Sequence, residues 1–401
     1  MTAQDIVIVG AARTPIGRFG GAFRNIHPAE LGAVAVRAAL QRATVEADLV
    51  DEVLIGHARQ AAAGPNPARQ VGKRAGIPDT APAQTINKAC ASGMQAIASG
   101  AQSIRLGESQ VVVAGGIESM SRMPYLIDAE DARWGRKMGN FTLVDAMYRD
   151  GFTCSVCGMV MGETAEVLAR EYGITREASD EFAAESQRRA AHAIAKGRFR
   201  AEIAPVTVID AKGRQSIVEV DEHPRADTTV DSLAKLPAVF PNVDGGAGII
   251  TAGTASGITD GGAALVLMSG ARAAELEKTP LARIIGWASA GVDPRMMGIG
   301  PVPAMRNLFH RTGLSLADFD LVELNEAFAP QVLAVLRDEP VPMDKLNVNG
   351  GAIALGHPIG CTGTRIVVTL LHEMRRRNVH RGLATLCVSG GMGMALAIEN
   401  C

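Results

Sequence analysis

Two thiols and one imidazole of this 401-residue chain stand in turns that suit chemistry. Cys90 lies in residues 87–94 (NKACASGM), where a predicted strand ends and a predicted helix begins. Backbone N–H groups at a helix N-terminus stabilise a thiolate, so this position predicts a lowered thiol pKa and a nucleophile. The alternative is a small buried core residue, which is common for cysteine.

His357 is the imidazole of residues 349–363 (NGGAIALGHPIGCTG), a glycine-rich segment. Glycines let another backbone or a ligand approach closely, and Pro358 fixes the turn. A histidine in such a loop can serve as the base for a thiol elsewhere in the chain. The alternative is a loop histidine without a chemical task.

Two further candidates follow predicted strands. Cys387 opens residues 387–393 (CVSGGMG), and a second thiol there can act as a general acid or base. Asn325 begins the sequence NEAF after the apolar run 321–324, and its amide can orient a water or donate to an oxyanion. Each of these residues alone is a weak signal.

The elements that position these residues alternate between strand and helix. Strand-like runs cover 6–9, 53–55, 111–113 and 263–268, and helical patterns cover 28–44, 92–106, 163–172 and 176–196. This alternation predicts an α/β fold with a largely parallel sheet.

The chain divides into two similar halves and an insertion. Residues 1–120 with 251–275 form a predicted N-terminal α/β half, residues 276–401 form a C-terminal α/β half, and residues 121–250 read as an inserted loop domain. Cys90 and His357 each precede a helix, a valine- or leucine-rich strand and a Gly-Gly pair. This shared order of elements predicts a duplicated α/β unit with the functional site between the two halves. The alternative is that the similarity arose by chance.

Composition excludes several classes of protein. With 40 Lys+Arg against 42 Asp+Glu and 4% aromatic residues, the chain lacks the basic excess and the stacking platforms of a nucleic-acid binder. No apolar run approaches the ~18 residues that span a bilayer, so no membrane partner is expected.

Six cysteines are too few for a disulfide scaffold, which favours a reducing cytoplasm. Cys154 and Cys157 form a lone C-x-x-C pair, interpreted as free loop thiols rather than a zinc site, and no metal is expected.

Taken together, the motifs identify a resemblance. The sequence resembles the thiolase family, acyltransferases that form or cleave 3-oxoacyl-CoA, from residues 12–17 (ARTPIG) to the final strand. The blocks around Asn325, His357 and Cys387 follow the family's order and spacing, and residues 116–121 (GIESMS) are a further typical stretch. The resemblance implies duplicated α/β halves layered α-β-α-β-α, with the inserted domain covering a CoA and acyl pocket.

The resemblance also implies roles. Cys90 would attack an acyl-CoA thioester and hold the acyl group, after His357 takes its proton. His357, with a water held by Asn325, would stabilise the charge that develops on the thioester oxygen. Cys387 would remove the α-proton of a second acetyl-CoA, while the N–H groups of Cys90 and Ser389 face the tetrahedral oxyanion. Two half-reactions on one nucleophile predict ping-pong kinetics. No permanently bound cofactor is implied, because CoA thioesters are the substrates.

Contacts to CoA carry over from the same resemblance. Ser256 matches a serine beside the pantetheine arm, Arg225 an arginine near the CoA phosphates, and Met161 the loop over the acyl pocket. Thr254 stands where an Asn is usual, Ser389 where a Gly is usual, and Val160 replaces a His or aromatic residue. Residues 242–248 form a slightly longer stretch than in close relatives. The resemblance implies that these departures touch the acyl and pantetheine pocket, so they are expected to affect substrate choice rather than the reaction.

The leading functional interpretation is short-chain acetyl transfer, in which two acetyl-CoA give acetoacetyl-CoA or the reverse. A degradative 3-oxoacyl-CoA thiolase of broader chain length has the same residues. A decarboxylating condensing enzyme usually lacks the second cysteine, so Cys387 argues against it. A non-catalytic acyl-CoA or lipid carrier would be favoured by loss of Cys90, His357 or Cys387, and all three are present. The family resemblance implies a homodimer or homotetramer.

Overall fold

The computed structural model of the protein describes residues 2–210, 212–241 and 245–401. The strands are, in chain order, β1 (Ile6–Arg13), β2 (Gly17–Arg18), β3 (Glu52–His57), β4 (Ala83–Ile86), β5 (Val111–Ser119), β6 (Tyr125–Leu126), β7 (Val144–Asp145), β8 (Val206–Ile209), β9 (Gln215–Val218), β10 (Thr259–Ser269), β11 (Ala282–Gly291), β12 (Leu321–Leu324), β13 (Arg381–Val388) and β14 (Met392–Asn400). The α-helices are α1 (Pro28–Ala43), α2 (Pro67–Ala75), α3 (Ser92–Leu106), α4 (Ala129–Ala132), α5 (Met161–Glu171), α6 (Arg176–Ala195), α7 (Val230–Ala234), α8 (Gly270–Glu275), α9 (Pro301–Thr312), α10 (Ala329–Asp338), α11 (Ala352–Leu355) and α12 (Ile359–Arg377).

The main sheet runs through both halves of the chain. Its strand order is β12-β13-β14-β11-β1-β10-β5-β3-β4, with β2 beside β10. The two halves meet where β1 pairs with β11, through Val7 opposite Arg283 and Ile8 opposite Ala282. The predicted α/β class is therefore confirmed.

The prediction of a largely parallel sheet is wrong. β3 runs parallel to β4 and β5, and β12 runs parallel to β13. The pairings of β1, β10, β11 and β14 with their neighbours are antiparallel. Helical crossovers give these parallel pairs: α2 and α3 link β3, β4 and β5, and α10–α12 link β12 to β13. β13 instead returns directly into β14, through a turn in which Gly390 and Gly391 have φ values of 88° and 84°.

Three helical layers enclose the two parts of the sheet. Ile8 of β1 packs with α3 and α12 in the middle of the molecule, whereas the next residue, Val9, packs with α1 and α2 on the outside. In β14, Leu396 faces the middle layer and Ala395 faces α9 and α10. Successive residues of a strand point to opposite faces of the sheet, so the side chains of one apolar strand pack into the hydrophobic cores on both faces. The layer order α-β-α-β-α follows.

The first turns of α3 and α12 cross at glycines. A Cβ on Gly93 would lie 2.5 Å from Thr364 Oγ1, and a Cβ on Gly363 would lie 2.5 Å from Met94 N. Because a larger residue would not fit at either glycine, the first turns of the two helices can lie in direct contact. Cys90 precedes α3 by two residues, so the crossing brings it close to the turn before α12.

The long connection between β5 and β10 carries β6–β9 and α4–α7. A cluster of buried ion pairs holds this connection against the main sheet. Arg13, at the end of β1, bonds Glu202 at 2.6 Å and Asp221 at 2.7 Å, and its side chain is fully buried. Breaking such a buried pair typically costs about 3–5 kcal/mol. In the same connection, α5 and α6 pack against α10. Within the described residues, no helix is long and apolar enough to cross a membrane.

Candidate active site

A cavity of about 360 Å³ lies where the two halves and the long connection meet. Cys90, His357 and Cys387 all line it, and so does Ser389. Most of its wall is apolar, with side chains from the connection and from the second half. Examples are Phe152, Val160, Met161, Phe240, Met297 and Phe328. The structure therefore brings three chemically active side chains, far apart in sequence, to one apolar cavity.

Cys90 stands in a tightly held turn between β4 and α3. Ala89 has φ 45°, a left-handed conformation that is rare for a residue with a side chain. Asn87 Oδ1 accepts a hydrogen bond from Ala89 N at 3.0 Å, and Ser92 Oγ accepts one from Lys88 N at 2.9 Å. These bonds stabilise a strained backbone that holds Cys90 toward the cavity.

The predicted lowering of the Cys90 pKa is wrong in sign. Burial raises the pKa of the Cys90 thiol above its usual value. The charge of Arg59 and the N–H groups of Ser389 and Cys90 lower it, but burial outweighs them. Most of the thiol is therefore protonated at neutral pH, and its reaction needs a base nearby.

His357 is held by hydrogen bonds from its backbone and from one ring nitrogen. Its backbone N donates to Gly257 O at 2.9 Å, and Nδ1 lies 2.6 Å from Thr362 Oγ1. That hydroxyl also lies 3.0 Å from the carbonyl oxygen of Pro358, which can only accept. The hydroxyl proton therefore goes to Pro358 and the Nδ1 proton to Thr362, leaving the lone pair on Nε2.

Burial, with the charges of Arg365 and Arg59, lowers the pKa of His357 to about 3. The imidazole is therefore neutral over the whole physiological range. A neutral ring with a free Nε2 can accept a proton, which is the state that a general base requires.

Cys387 is the last residue but one of β13 and is 1% exposed. Burial raises the pKa of its thiol, and the nearby negative charge of a Cys90 thiolate raises it further. Ser389 keeps a negative φ, since the left-handed residues of this turn are Gly390 and Gly391. A serine therefore fits where a glycine is usual, and its N–H still points at the Cys90 sulfur.

Asn325 follows β12 and is not among the residues that line the cavity. Its backbone N donates to Thr385 O at 3.0 Å, and it is 1% exposed. Among the described residues, neither polar atom of its side-chain amide has a hydrogen-bond partner. A buried amide left unpaired is costly, so this group is suited to hold an ordered water.

The residues expected to contact CoA lie around two adjoining cavities. Ser256 and Met161 line the cavity that holds Cys90, and Ser256 N donates to Ala327 O at 3.0 Å. Arg225 lies on a second cavity of about 280 Å³, and Ala252 borders both. The structure thus places Arg225 next to the site but outside the cavity of the three active side chains.

The departures from the family pattern have different consequences. Val160 lines the cavity, as expected for an effect on substrate choice. Thr254 does not line it; its Oγ1 accepts a bond from Thr251 N at 2.8 Å inside a buried turn. The expectation that Thr254 touches the substrate pocket is therefore wrong. The longer stretch 242–248 falls partly on residues 242–244, which lie outside the described residues.

Cys154 and Cys157 are both free thiols. In the described part of the chain, no group of three or more His, Cys, Asp or Glu side chains could hold a metal ion.

Arg59 is a cavity residue that the sequence reasoning missed. It follows β3, is 8% exposed and lines the same cavity as Cys90. Its Nη1 donates to Asp150 O at 3.0 Å and its Nη2 to Gly151 O at 2.7 Å. Its position just past the carboxyl end of a parallel strand is the signal that could have found it, because sites of α/β proteins gather at that edge.

Comparison with known proteins agrees with this architecture. Residues 6–271 match the family "Thiolase, N-terminal domain" and residues 278–400 match "Thiolase, C-terminal domain". The chain is 51% identical to an acetyl-CoA acetyltransferase of Pseudomonas aeruginosa, over 98% of this chain and 99% of that one.

Solved structures are similar over the full length. An acetyl-CoA acetyltransferase of Bacillus anthracis superimposes with a TM-score of 0.95 at 47% identity, covering 99% of each chain. Human mitochondrial 3-ketoacyl-CoA thiolase in complex with CoA gives a TM-score of 0.94 at 42% identity, covering 100% of this chain and 98% of that one. The chain belongs to the thiolase family.

Proposed function

We propose that this thiolase condenses two acetyl-CoA to acetoacetyl-CoA and CoA, or catalyses the reverse thiolysis. The observation that carries the proposal is the convergence of Cys90, His357 and Cys387 on one apolar cavity. Relatives named acetyl-CoA acetyltransferase, at about half identity over nearly the whole chain, support the short acyl group. CoA thioesters are then substrates, and the chemistry needs no permanently bound cofactor.

In the first half-reaction, Cys90 is the nucleophile. Its thiol proton passes to Nε2 of His357, and the sulfur attacks the thioester carbonyl carbon. Nε2–H of His357, together with a water held by Asn325, stabilises the charge on the thioester oxygen. The CoA thiolate leaves and takes the proton back from His357, so acetyl-Cys90 remains.

In the second half-reaction, Cys387 is the base. Its own thiol proton first passes to Nε2 of His357, which lines the same cavity. The Cys387 thiolate then removes the α-proton of a second acetyl-CoA, and the resulting carbanion attacks the carbonyl carbon of acetyl-Cys90. The N–H groups of Cys90 and Ser389 face the oxyanion formed there. Collapse of the tetrahedral intermediate expels the Cys90 thiolate, which takes the proton held by His357, and acetoacetyl-CoA is released.

Substrate binding extends the site toward the long connection. We infer that residues 121–250 act as a cover for the CoA and acyl pocket between the halves 1–120 with 251–275 and 276–401. Ser256 would contact the pantetheine arm and Arg225 the phosphates, and the adjoining cavities at Ala252 support a continuous path.

The protonation states give an expected pH profile. The pKa of His357 is lowered to about 3 and the pKa of Cys90 is raised. At every pH between these two pKa values, His357 is a neutral imidazole and Cys90 is a neutral thiol. We expect kcat/KM for acetyl-CoA acylation to stay flat from about pH 5.5 to about pH 7.5. Stopped-flow release of CoA measures it. A fall in kcat/KM toward low pH, with a midpoint near the ordinary histidine pKa, would contradict the assignment of His357 as a buried, neutral base.

Chain length separates the proposal from a degradative thiolase of broader range, which the 3-ketoacyl-CoA thiolase neighbour keeps open as the second candidate. One methylene in an apolar pocket changes discrimination by only about 1–3 kcal/mol, so preference should be graded. We expect four-carbon 3-oxoacyl-CoA to be the best substrate and six-carbon to react more slowly. Met161→Ala should raise the relative kcat/KM for longer chains by removing bulk.

The measurement is kcat/KM for four-, six- and ten-carbon substrates. Met138→Ala is the matched control, because this methionine lies in the same connection but is 88% exposed. If the wild type prefers ten carbons over four, the degradative function replaces the short-chain one. If no chain length reacts although Cys90 and His357 are intact, a non-catalytic acyl-CoA carrier is the remaining interpretation.

We further propose a homodimer or homotetramer in a reducing cytoplasm. Exposed apolar side chains are concentrated in the connection, including Tyr125, Trp134, Met138, Phe141 and Leu143. Such a patch is typical of a surface that another protein chain covers. The six free thiols support the reducing compartment.

A further inference from the structure

The guanidinium of Arg59 is a buried positive charge that the mechanism above does not use. It is 8% exposed, and among the described residues the acid next to it, Glu118, bonds its backbone N rather than its guanidinium. Its bonds go to backbone carbonyls of Asp150 and Gly151. A buried charge without a counter-charge is costly, so its presence in the cavity calls for a compensating anion.

The segment that carries Arg59 lies between the two turns of the site. Ala58 O accepts a bond from Asn87 Nδ2 at 3.1 Å, in the turn that leads to Cys90. On its other side, a Cβ on Gly360 would lie 2.7 Å from Ala58 N, so this segment touches the start of α12. Ala58 and Cys90 belong to one apolar cluster. Arg59, the next residue, therefore lines the same cavity as Cys90 from a segment packed against the Cys90 turn.

The ionisable groups around Cys90 come from several elements. Glu118 of β5 accepts a bond from Arg59 N at 3.2 Å, and its negative charge opposes a thiolate. Cys387 of β13 is neutral as a thiol, and His357 is a neutral imidazole whose pKa is lowered by burial and then by the charges of Arg365 and Arg59. Arg59 is the positive charge that lowers the pKa of Cys90, and the thiolate is the anion that forms next to it.

We propose that Arg59 is an electrostatic positioning residue that stabilises the Cys90 thiolate, held in place by its two bonds to the π-helical turn Tyr148–Phe152. The inference rests on the proposed function, in which that thiolate attacks the thioester. The competing role is a purely mechanical one, in which the same two hydrogen bonds only hold this π-helical turn and the charge has no effect on Cys90.

Two substitutions separate charge from hydrogen bonding. Arg59→Gln keeps amide N–H donors and removes the positive charge. Arg59→Lys keeps the positive charge but loses the planar guanidinium, which donates two hydrogen bonds side by side. The readout is the rate of Cys90 alkylation by iodoacetamide against pH, followed on the tryptic peptide 89–105, which contains no other cysteine. This reaction needs a thiolate but no acyl transfer, so its outcome is independent of whether the enzyme condenses acetyl-CoA.

We expect Arg59→Gln to move the alkylation midpoint upward by about one pH unit, which is about tenfold slower alkylation at neutral pH. Arg59→Lys should stay close to the wild type. Arg37→Met is the control, because Arg37 also bonds a backbone carbonyl but lies outside the cavity. An unchanged midpoint in Arg59→Gln, or a larger shift in Arg59→Lys than in Arg59→Gln, would overturn the proposal in favour of the mechanical role.

Discussion

Cys90→Ala is expected to abolish acyl transfer, with a loss of about 10⁴-fold or more in kcat, because the covalent intermediate cannot form. Wild-type protein incubated with acetyl-CoA should gain one acetyl group. Tryptic mapping should place it on residues 89–105, and the variant should gain none. Intact-mass spectrometry and peptide mapping make the measurement without relying on turnover.

Cys361→Ala is the matched control for this loss. Cys361 is 1% exposed and lies in the first turn of α12, yet it does not line the cavity. Its replacement removes a buried thiol of the same kind and should leave acetylation of Cys90 intact. Acetylation that persists unchanged in Cys90→Ala would show that another residue is the nucleophile.

The sequence was sufficient for the local placement of the site residues. The predicted helix 92–106 coincides with α3, and Cys90 lies in the turn before it as expected. The α12 helix likewise begins two residues after His357 and ends at Arg377. These predictions succeed because strand ends, glycine turns and helix periodicity are local signals.

Other features depend on contacts between distant segments. The parallel sheet was predicted from alternation alone, and alternation cannot show that β13 folds back on β14. Thr254 was assigned to the pocket by position in a motif, although its hydroxyl closes a turn. The sign of the Cys90 pKa shift was missed because the helix N-terminus is a local effect, whereas burial depends on the whole packed cavity.

Cys387→Ala should separate the two half-reactions. Acetylation of Cys90 needs no α-proton removal, so it should continue at near the wild-type rate. Condensation should fall by about 10²–10⁴-fold, the usual contribution of a general base. Two measurements test it: acetylation of residues 89–105 by mass, and exchange of the α-hydrogens of acetyl-CoA in deuterated water, which the variant should fail to catalyse.

The order of events follows from the charges in the cavity. Burial raises the pKa of Cys387, and the negative charge of a Cys90 thiolate raises it further. Acetylation makes Cys90 neutral, so this repulsion disappears at the step in which Cys387 must accept a proton. Cys154→Ala is the control, because Cys154 is buried but does not line the cavity. If Cys387→Ala still forms acetoacetyl-CoA at near the wild-type rate, or still exchanges the α-hydrogens, the base is another group and the assigned role of Cys387 is wrong.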